Sequence, residues 1–403
     1  MIIKPIQRIV DGERVSFAEL CEGFSRHVPL LKELEDTPQD PVWHAEGNVA
    51  IHTARVLEEM YDLLEGVSGE ERLVLVLAAL FHDIGKPLVT REAEINGETR
   101  ITSPRHAEKG RSYLALRLPE LGLESHVQDR ILSLVGYHHH PRKFVLDGKS
   151  RGKFSQLARC VNFTDVVNLE IADLKGRDCP DLEAQLEILE LFKMQADEYA
   201  LEGLADKKWI ETVREVFADR PDEFMLHAAK HGRSAFEAEV ISTIEESVPL
   251  AYQLEESPTV LTILSGPAGS GKSTWIEQNC HGEAVISLDQ LREKISGKRS
   301  SQKDNGRVLQ AAKEALKECL RKRQSVIFDA TNTRKDGRGW VAQLGYDYGA
   351  FVRIVCFRTS LGELYRRNRT RTHSIPLSAL DKQIQGFEWP TLDEAHEVVV
   401  VDV

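Results

Sequence analysis

The chain has 403 residues, of which 41% are hydrophobic and 29% charged, with a formal net charge of −12 at pH 7. This length predicts more than one domain, and the composition is that of a globular protein. No run approaches the roughly 20 apolar residues of a bilayer span, so we expect no membrane partner. The six cysteines include no Cys-x-x-Cys pair, and the first residues lack a signal-peptide pattern. Both features favour free thiols and a cytoplasmic protein.

The first half of the chain has the spacing of an all-helical domain. Apolar residues recur about every 3.6 positions over 50–64, 73–81 and 127–137, which predicts helices there. Residues 94–101 have the pattern of a small hairpin or loop with Asn96-Gly97 at its turn.

The middle of the chain, residues 180–249, has the pattern of several acidic helices, and 253–258 is the expected linker. We expect an N-terminal domain at 1–178, a helical extension at 179–256 and a C-terminal domain at 257–403. Three roles stay open for the extension: part of the first domain, a bridge, or a dimer interface.

After the linker the pattern changes to short apolar runs separated by helical ones. Strands are predicted at 260–264, 284–287, 325–328, 351–357 and 397–403. Such alternation favours a parallel sheet with helices on both faces. The expected fold is therefore multidomain, with an all-α domain followed by an α/β domain.

The charge is unevenly distributed. Residues from Ser257 onward include 22 Lys and Arg against 17 Asp and Glu, whereas the preceding residues include 30 against 47. A mildly basic C-terminal half is compatible with a polyanion partner, whereas a solvated acidic surface is the favoured interpretation for the helical middle segment.

A glycine-rich loop with the pattern Gly-x-x-x-x-Gly-Lys-Ser lies between the first predicted strand of the C-terminal half and a helix. In this context loop amides and the helix N-terminus cradle phosphates, Lys272 reaches the β and γ phosphates, and Ser273 binds Mg²⁺. The expected nucleotide-binding residues of this loop are Gly266, Gly269, Gly271, Lys272, Ser273 and Thr274.

Polar residues follow the next two strands, where parallel sheets bind ligands. Asp289 could accept the proton of an incoming hydroxyl and Arg292 could hold an anionic acceptor, although a helix cap and a surface arginine have the same spacing. Asp329 suits an outer-shell Mg²⁺ contact, and Thr331 and Asn332 suit acceptor contacts.

Four arginines, Arg366, Arg367, Arg369 and Arg371, crowd one helix before Pro376. Such a group suits a lid that clamps a triphosphate. These four elements in order resemble the polynucleotide 5′-hydroxyl kinase family over residues 258–403. The resemblance implies Asp289 as general base, Arg292 on the acceptor phosphate, and Arg371 with Arg367 on the nucleotide. Which of the four arginines clamps the nucleotide stays open within one helical turn.

Histidines and carboxylates with metal-ligand character occupy the N-terminal half, centred on His82-Asp83. Their order resembles the HD-domain phosphohydrolase superfamily. The resemblance implies His52, His82, Asp83 and Asp165 around a first metal, and Asp83, His106 and one residue of the pair His138 and His139 at a second. Two cations would share Asp83, and Lys86 could hold a substrate phosphate. His44 competes with the preferred His52, and mixed ligation suits Mn, Ni, Co, Fe or Zn.

The fusion order resembles the HD-domain polynucleotide kinases, which are bacterial nucleic-acid repair enzymes. The resemblance implies removal of a 2′,3′-cyclic phosphate, or a 2′- or 3′-phosphate, and 5′-phosphorylation of RNA or DNA ends from a purine NTP (ATP or GTP) with Mg²⁺. A small-molecule kinase fused to a nucleotide phosphohydrolase is the alternative, and an NTP-sensing regulator is a third reading. The sequence is compatible with a homodimer.

Overall fold

The computed structural model describes residues 4–199, 206–254, 257–297 and 304–403. Contacts divide the chain into two compact units, Met1–Leu201 (unit 1) and Glu202–Val403 (unit 2). The division falls inside the extension expected at 179–256, and the three expected domain boundaries remain predictions. The expected linker includes residues 255 and 256, which lie outside the described residues.

Unit 1 is helical apart from one hairpin in its described part. Its elements are α1 (Lys4–Val10), α2 (Phe17–Phe24), α3 (Val49–Leu63), α4 (Gly69–Phe81), β1 (Arg91–Ile95), β2 (Glu98–Thr102), α5 (His106–Ala115), α6 (Ser125–Tyr137), α7 (His140–Leu146), α8 (Arg151–Ala158), α9 (Phe163–Lys175) and α10 (Leu182–Glu198), with 3₁₀ turns at Pro29–Lys32, Lys86–Leu88 and Leu118–Leu121. The helices predicted at 50–64, 73–81 and 127–137 are confirmed as α3, α4 and α6.

Helix α4 is the centre of unit 1. It is apolar on every side from Leu73 to Phe81, and all of these residues are buried. It packs against α1, α3, α6 and α9. Asn48 and Asn162 cap α3 and α9 by accepting a hydrogen bond from a backbone N–H of the first turn. The chain leaves α4 directly into His82, so the best-packed helix of the unit delivers this side chain.

The hairpin predicted around Asn96-Gly97 is confirmed. Strand β1 pairs with β2 in antiparallel register from Arg91–Thr102 to Ile95–Glu98. Asn96 and Gly97 have φ values of 53° and 81°, which a two-residue hairpin turn of the mirror-image type requires.

Unit 2 joins a helical segment to an α/β domain. Its elements are α11 (Asp206–Val216), α12 (Asp222–Glu237), α13 (Ser247–Ala251), β3 (Val260–Ser265), α14 (Lys272–Asn279), β4 (Ala284–Ser287), α15 (Leu288–Ser296), α16 (Asn305–Arg321), β5 (Val326–Asp329), α17 (Lys335–Asp347), β6 (Phe351–Arg358), α18 (Leu361–Thr370), α19 (Leu377–Gln385) and β7 (Glu397–Asp402). All five predicted strands are confirmed within two residues.

The five strands form one parallel sheet in the order β4-β5-β3-β6-β7. Alternation along β3 sends Leu261 and Ile263 into a core beneath α16 and α17, and Leu264 into a second core with Trp275 of α14. Helices therefore cover both faces, as the sequence predicted. Strand β3 is central, so the loop that follows it lies between neighbours on both sides.

The described residues of the acidic stretch 180–249 form several helices, as predicted, and these helices divide between the units. Helix α10 packs on α7 and α9 of unit 1. Helix α12 packs on the sheet of unit 2, where the His227 and Phe351 rings lie 5.2 Å apart and Lys230 forms an ion pair with Glu397. Among the described residues, no helix has both the length and the apolar character that crossing a bilayer requires.

A buried ion pair fixes the start of α17. Arg338 is 0% exposed and donates through Nε and NH2 to both carboxylate oxygens of Glu394, at 2.8 and 3.0 Å. We predict that Arg338→Met lowers the free energy of unfolding of unit 2 by about 3–5 kcal/mol, because it leaves a buried carboxylate without its counter-charge. Urea unfolding followed by tryptophan fluorescence measures this, since four of the five tryptophans, Trp209, Trp275, Trp340 and Trp389, lie in unit 2.

Arg334→Met is the matched control. Arg334 also pairs with a carboxylate, that of Asp336, but the two side chains are 64% and 69% exposed. Its loss should change the free energy of unfolding far less than the loss of Arg338, because solvent screens an exposed pair. Equal losses in the two variants would contradict the assignment of the buried pair as the stabilising one.

Candidate metal centre and nucleotide site

Imidazole rings and carboxylates from several elements converge at the end of α4. We call these residues the histidine cluster: His52, His82, Asp83, His106, His138, His139 and Asp173. The structure therefore brings together six of the seven metal ligands expected from the sequence and adds Asp173.

Backbone carbonyls determine which ring nitrogen is protonated. The Nδ1 atoms of His82, His106 and His138 each lie 2.7–2.8 Å from the carbonyl oxygen three residues earlier. Because a carbonyl only accepts, Nδ1 must carry the proton in the neutral ring. The Nε2 lone pair of each ring is then left to bind a cation.

The Nε2 atoms face one another. His52 Nε2 lies 3.3 Å from His82 Nε2. His106 Nε2 lies 3.4 Å from His138 Nε2 and 3.2 Å from His139 Nε2. Unprotonated nitrogens repel at these separations, but the same distances match the edges of a coordination shell with bonds of about 2.0–2.2 Å. The donor set therefore fits divalent cations of the type that imidazole and carboxylate bind together.

Asp83 lies between the two groups of rings. Its Oδ2 is 3.7 Å from His52 Nε2 and 3.3 Å from His82 Nε2. Its Oδ1 is 3.1 Å from His106 Nε2. Asp173 adds an oxygen 3.0 Å from His52 Nε2. One carboxylate can thus bridge two cation positions, which is the arrangement the resemblance implied.

The glycine at position 85 allows α5 to bring His106 this close. A Cβ at Gly85 would lie 2.1 Å from the His106 carbonyl oxygen and 2.6 Å from Gly110 N. Any side chain there would push the start of α5 away from Asp83.

The electrostatics keep His138, His139 and Asp83 in their metal-binding forms, whereas at His82 burial lowers the pKa but Asp83 and Asp173 outweigh it and raise the pKa of that ring in the absence of metal. Burial and the neighbouring rings lower the pKa of His138 to about 3, and burial with His138 lowers the pKa of His139. Burial alone would raise the pKa of Asp83, but Lys86 and His82 outweigh it and hold that pKa well below its usual range. The rings of His138 and His139 are neutral and this carboxylate is charged at pH 7.

Glu46 orients His52 and was not anticipated from the sequence. Its buried Oε1 lies 3.1 Å from His52 Nδ1 and 2.8 Å from His44 Nδ1, and its Oε2 accepts a hydrogen bond from Asp178 N at 3.0 Å. A carboxylate on Nδ1 leaves His52 Nε2 available as a ligand. His44, the competing candidate, therefore lies behind the ligand ring and shares its carboxylate.

Asp165 does not join the histidine cluster, so the expected ligand set needs this correction. It lies in the first turn of α9, where Asn162 caps its N–H and Arg130 NH2 donates to its Oδ2 at 2.8 Å. Asp173, two turns later on the same helix, takes the expected place. The signal available in the sequence was an Asp inside the apolar stripe of α9 with Arg177 one turn beyond it.

Two cations border the histidine cluster. Lys86 Nζ lies 2.7 Å from Asp83 Oδ2 and 2.6 Å from Gln39 Oε1. Arg177 Nε donates to Asp173 Oδ1 at 3.0 Å. Both carboxylates are thus balanced by a fixed positive charge.

The glycine-rich loop has the conformation that phosphate binding needs. Gly269 and Gly271 have φ values of 86° and 100°, a region that side chains disfavour. Lys272 Nζ donates to the carbonyls of Gly266 and Pro267 at 2.7 and 2.8 Å. The surrounding loop desolvates this ammonium and lowers the pKa of Lys272 to about 8. Ser273 and Thr274 lie exposed in the first turn of α14.

The expected acceptor residues lie at the ends of neighbouring strands. Arg292 NH1 donates to Asp289 Oδ1 at 2.5 Å, and the Asp289 side chain is 61% exposed. Burial raises the pKa of Asp329 against the opposing effects of Ser287 and Lys272. The carboxylates of Asp289 and Asp329 both act on the Lys272 ammonium.

Thr331 and Asn332 have a structural role in this arrangement. The Thr331 carbonyl accepts from Gly266 N at 2.8 Å, and Asn332 Nδ2 donates to Leu264 O at 2.8 Å. Asn332 has a φ of 41°. These bonds hold the loop after β5 against the glycine-rich loop, so the Asn332 amide is engaged with backbone.

The arginines of α18 differ in position. Arg367 NH1 lies 3.4 Å from Gly269 O, and Arg371 lies close enough to lower the pKa of Lys272. Arg366 and Arg369 are exposed. Arg367 and Arg371 therefore face the phosphate loop, which narrows the set of four left open by the sequence.

Comparison with known protein families finds one match within each unit. Residues 49–169 match the HD domain family, and residues 261–390 match the AAA domain family. The chain therefore joins an N-terminal HD domain to a C-terminal P-loop kinase-like domain. No curated protein matches the chain.

We predict that Asp173→Asn lowers metal affinity by more than about 100-fold, because it removes an anionic ligand rather than one of its supports. Metal content after dialysis and calorimetric titration of Mn²⁺ into the protein measure the loss. Asp165→Asn is the matched control on the same helix and should keep wild-type metal content. The reverse result would restore Asp165 as the ligand.

The pKa of Lys272 predicts proton uptake on nucleotide binding. Above pH 8 the free protein holds Lys272 increasingly neutral, whereas bound phosphates favour the charged form and raise the pKa. Affinity for a non-hydrolysable ATP analogue should therefore fall as pH rises from 8 to 10, by up to about tenfold per unit. Calorimetry at pH 9 in buffers of different ionisation enthalpy should detect the proton.

Lys272→Arg is the control for this measurement, since a guanidinium stays protonated throughout the range. Its binding should show no proton uptake. Absence of uptake in the wild-type protein would contradict the lowered pKa.

Proposed function

We propose that the protein is a nucleic-acid end-healing enzyme. The HD domain removes a 2′,3′-cyclic phosphate, or a 2′- or 3′-phosphate, from one strand end. The kinase-like domain transfers a phosphate from a purine NTP to the 5′-hydroxyl of the other end. Ends left by RNA cleavage then become substrates for ligation.

The observation that carries this proposal is the openness of the acceptor side of the kinase site. Asp289, the proposed general base, is 61% exposed and bound to Arg292, although it acts electrostatically on Lys272 of the phosphate loop. A base at an open edge suits the end of a long polymer. A kinase for a small metabolite excludes water by enclosing its acceptor, which disfavours the alternative reading.

In the kinase reaction, the loop amides and Lys272 hold the triphosphate and Mg²⁺ neutralises its charge when bound. Asp289 accepts the proton of the 5′-hydroxyl as its oxygen attacks the γ-phosphorus. The bond from that phosphorus to the leaving nucleoside diphosphate breaks in the same step. Arg367 and Arg371 face the phosphate loop and stabilise the transferring phosphoryl group.

In the phosphohydrolase reaction, Asp83 and the Nε2 atoms of the histidine cluster would hold divalent cations. When bound, these supply Lewis acidity at the phosphate and lower the pKa of water. Lys86 is positioned to contact a phosphate oxygen beside Asp83. The Glu46 carboxylate lies 3.1 Å from His52 Nδ1, so it would favour the tautomer whose Nε2 is free to bind metal.

The direct test uses an RNA oligonucleotide with a 5′-hydroxyl and a 2′,3′-cyclic phosphate, incubated with NTP, Mg²⁺ and Mn²⁺. The expected product gains a 5′-phosphate and loses its terminal phosphate. Turnover of mononucleosides or nucleotides with both RNA ends unchanged would replace the proposal by the small-molecule reading. Comparison of RNA with DNA and of ATP with GTP determines the preferences.

We predict that the two activities separate by mutation. Asp289→Ala should lower 5′-phosphorylation by about 10²–10⁴-fold, the contribution of a general base, and leave phosphate removal intact. Asp83→Ala should lower phosphate removal more than about 100-fold and leave the kinase intact. Asp347→Ala, at an exposed carboxylate bonded to Gln343, is the control and should change neither. Loss of both activities in one variant would show that the sites are coupled.

A further inference from the structure

The glycine-rich loop is contacted by two helices from much later in the chain, α18 and α19. Arg367 NH1 of α18 lies 3.4 Å from the Gly269 carbonyl oxygen. Gln383 Oε1 of α19 accepts a hydrogen bond from Ala268 N at 2.8 Å. Arg367 has a role in the kinase chemistry above, whereas Gln383 has none. The bond from Gln383 therefore points to a separate role for α19 at the phosphate loop.

The N–H groups of the glycine-rich loop fall into two sets. Gly266 N and Ser270 N donate to backbone carbonyls, at 2.8 and 3.2 Å. Ala268 N donates to a side chain, that of Gln383. A second set has no acceptor within the described ranges and is left to bind phosphate: Gly269 N, Gly271 N and Lys272 N. Gln383 thus shapes the loop without occupying an N–H group of the second set.

Helices α18 and α19 are fastened to each other, and we call them, with the loop between them, the lid pair (residues 361–385). Tyr365 OH donates to Asp381 Oδ1 at 2.6 Å. Asn368 is 2% exposed and binds both backbone groups of Ile375. Its Nδ2 donates to the carbonyl at 2.9 Å, and its Oδ1 accepts from the N–H at 3.0 Å. A displacement of α19 is therefore transmitted to α18 and its arginines.

Positive charge opposes the approach of the lid pair to the loop. Burial lowers the pKa of Lys272, and the charge of Arg371 lowers it further, so these two cations repel each other. Arg367 is balanced by Glu363, at 2.5 Å. A neutral acceptor suits this position, because Gln383 adds a hydrogen bond to the loop without adding charge beside the site of the triphosphate.

We propose that Gln383 is a positioning residue that fastens the lid pair to the glycine-rich loop. Through this bond Arg367 and Arg371 are kept at the phosphates that they stabilise during transfer, so less ordering is needed when nucleotide binds. The inference deepens the kinase half of the proposed function and rests on it, but it does not depend on which acceptor is phosphorylated. Gln383 acts indirectly, through Ala268 and the two arginines.

The test compares the full-length wild-type protein with Gln383→Met, which keeps the length of the side chain and removes the acceptor. Affinity for a non-hydrolysable ATP analogue, measured by calorimetry, should fall about 3- to 10-fold, the range of one neutral hydrogen bond. At saturating nucleotide, the kcat for 5′-phosphorylation of an RNA oligonucleotide should fall by a similar factor. Amide hydrogen exchange across the lid pair should become faster in the nucleotide-free variant.

Gln383→Glu separates the hydrogen bond from the charge. Its carboxylate still accepts the Ala268 N–H, so hydrogen exchange across the lid pair should stay as slow as in the wild-type protein. Its negative charge should nevertheless weaken affinity for the ATP analogue. Gln385→Met is the matched control, because Gln385 is an exposed glutamine on the same helix. It should match the wild-type protein in all three measurements.

Two outcomes would overturn the inference. Tighter binding of the analogue by Gln383→Met would show that Gln383 obstructs the nucleotide. Wild-type affinity and kcat in Gln383→Met would show that the contact only stabilises α19, whatever the exchange rates. If the wild-type protein binds the analogue but phosphorylates no RNA 5′-end, the proposed function itself fails, and affinity and hydrogen exchange still test the role of Gln383.

Discussion

The mutual repulsion of unprotonated imidazole nitrogens is the constraint on which unit 1 depends. Carbonyls fix the Nδ1 protons of His82, His106 and His138 in their neutral rings. The Nε2 atoms of neighbouring rings then face one another at 3.2–3.4 Å. Such a set is stable only with positive charge among the rings or with a scaffold stiff enough to impose it. The fully buried α4, the close approach at Gly85 and the Glu46 carboxylate provide that scaffold.

The phosphate loop of unit 2 follows a different principle. Its geometry is fixed by backbone, through the left-handed glycines and the bonds from Thr331 and Asn332, while its charged side chains pair with one another. Lys272 is bound to loop carbonyls, Asp289 to Arg292, and Arg367 to Glu363. The charged side chains of this site are therefore held close to the loop before any ligand is bound. The two units thus handle phosphate with a rigid buried site and an open exchangeable one.

The sequence was sufficient wherever a local pattern determined the outcome. Apolar periodicity located α3, α4 and α6, the Asn96-Gly97 turn located the hairpin, and alternation located the strands. It was insufficient where two residues of one type compete on a single helix. Asp165 and Asp173 are both in α9, and only the packing of that helix against α3 and α4 decides which of them reaches His52.

Long-range contacts explain the other residues that the sequence did not reveal. Glu46 acts through a backbone N–H at position 178, and Asn332 through a carbonyl at position 264. The set of candidate arginines on α18 becomes smaller only when the position of the helix against Gly269 is known. Pairings of this kind depend on chain topology, which spacing along the sequence does not encode.

The packing of α12 on the sheet affects how the chain can be divided. His227 and Lys230 cover Phe351, and Glu397 pairs with both Lys230 and Arg353. A fragment that begins at β3 would therefore expose the Phe351 ring and the Glu397 carboxylate, which α12 covers in the intact protein. We expect such a fragment to aggregate. A fragment that begins at Asp206 keeps these contacts, so the fragment suited to recombinant expression of the kinase-like half includes the helices that precede its sheet.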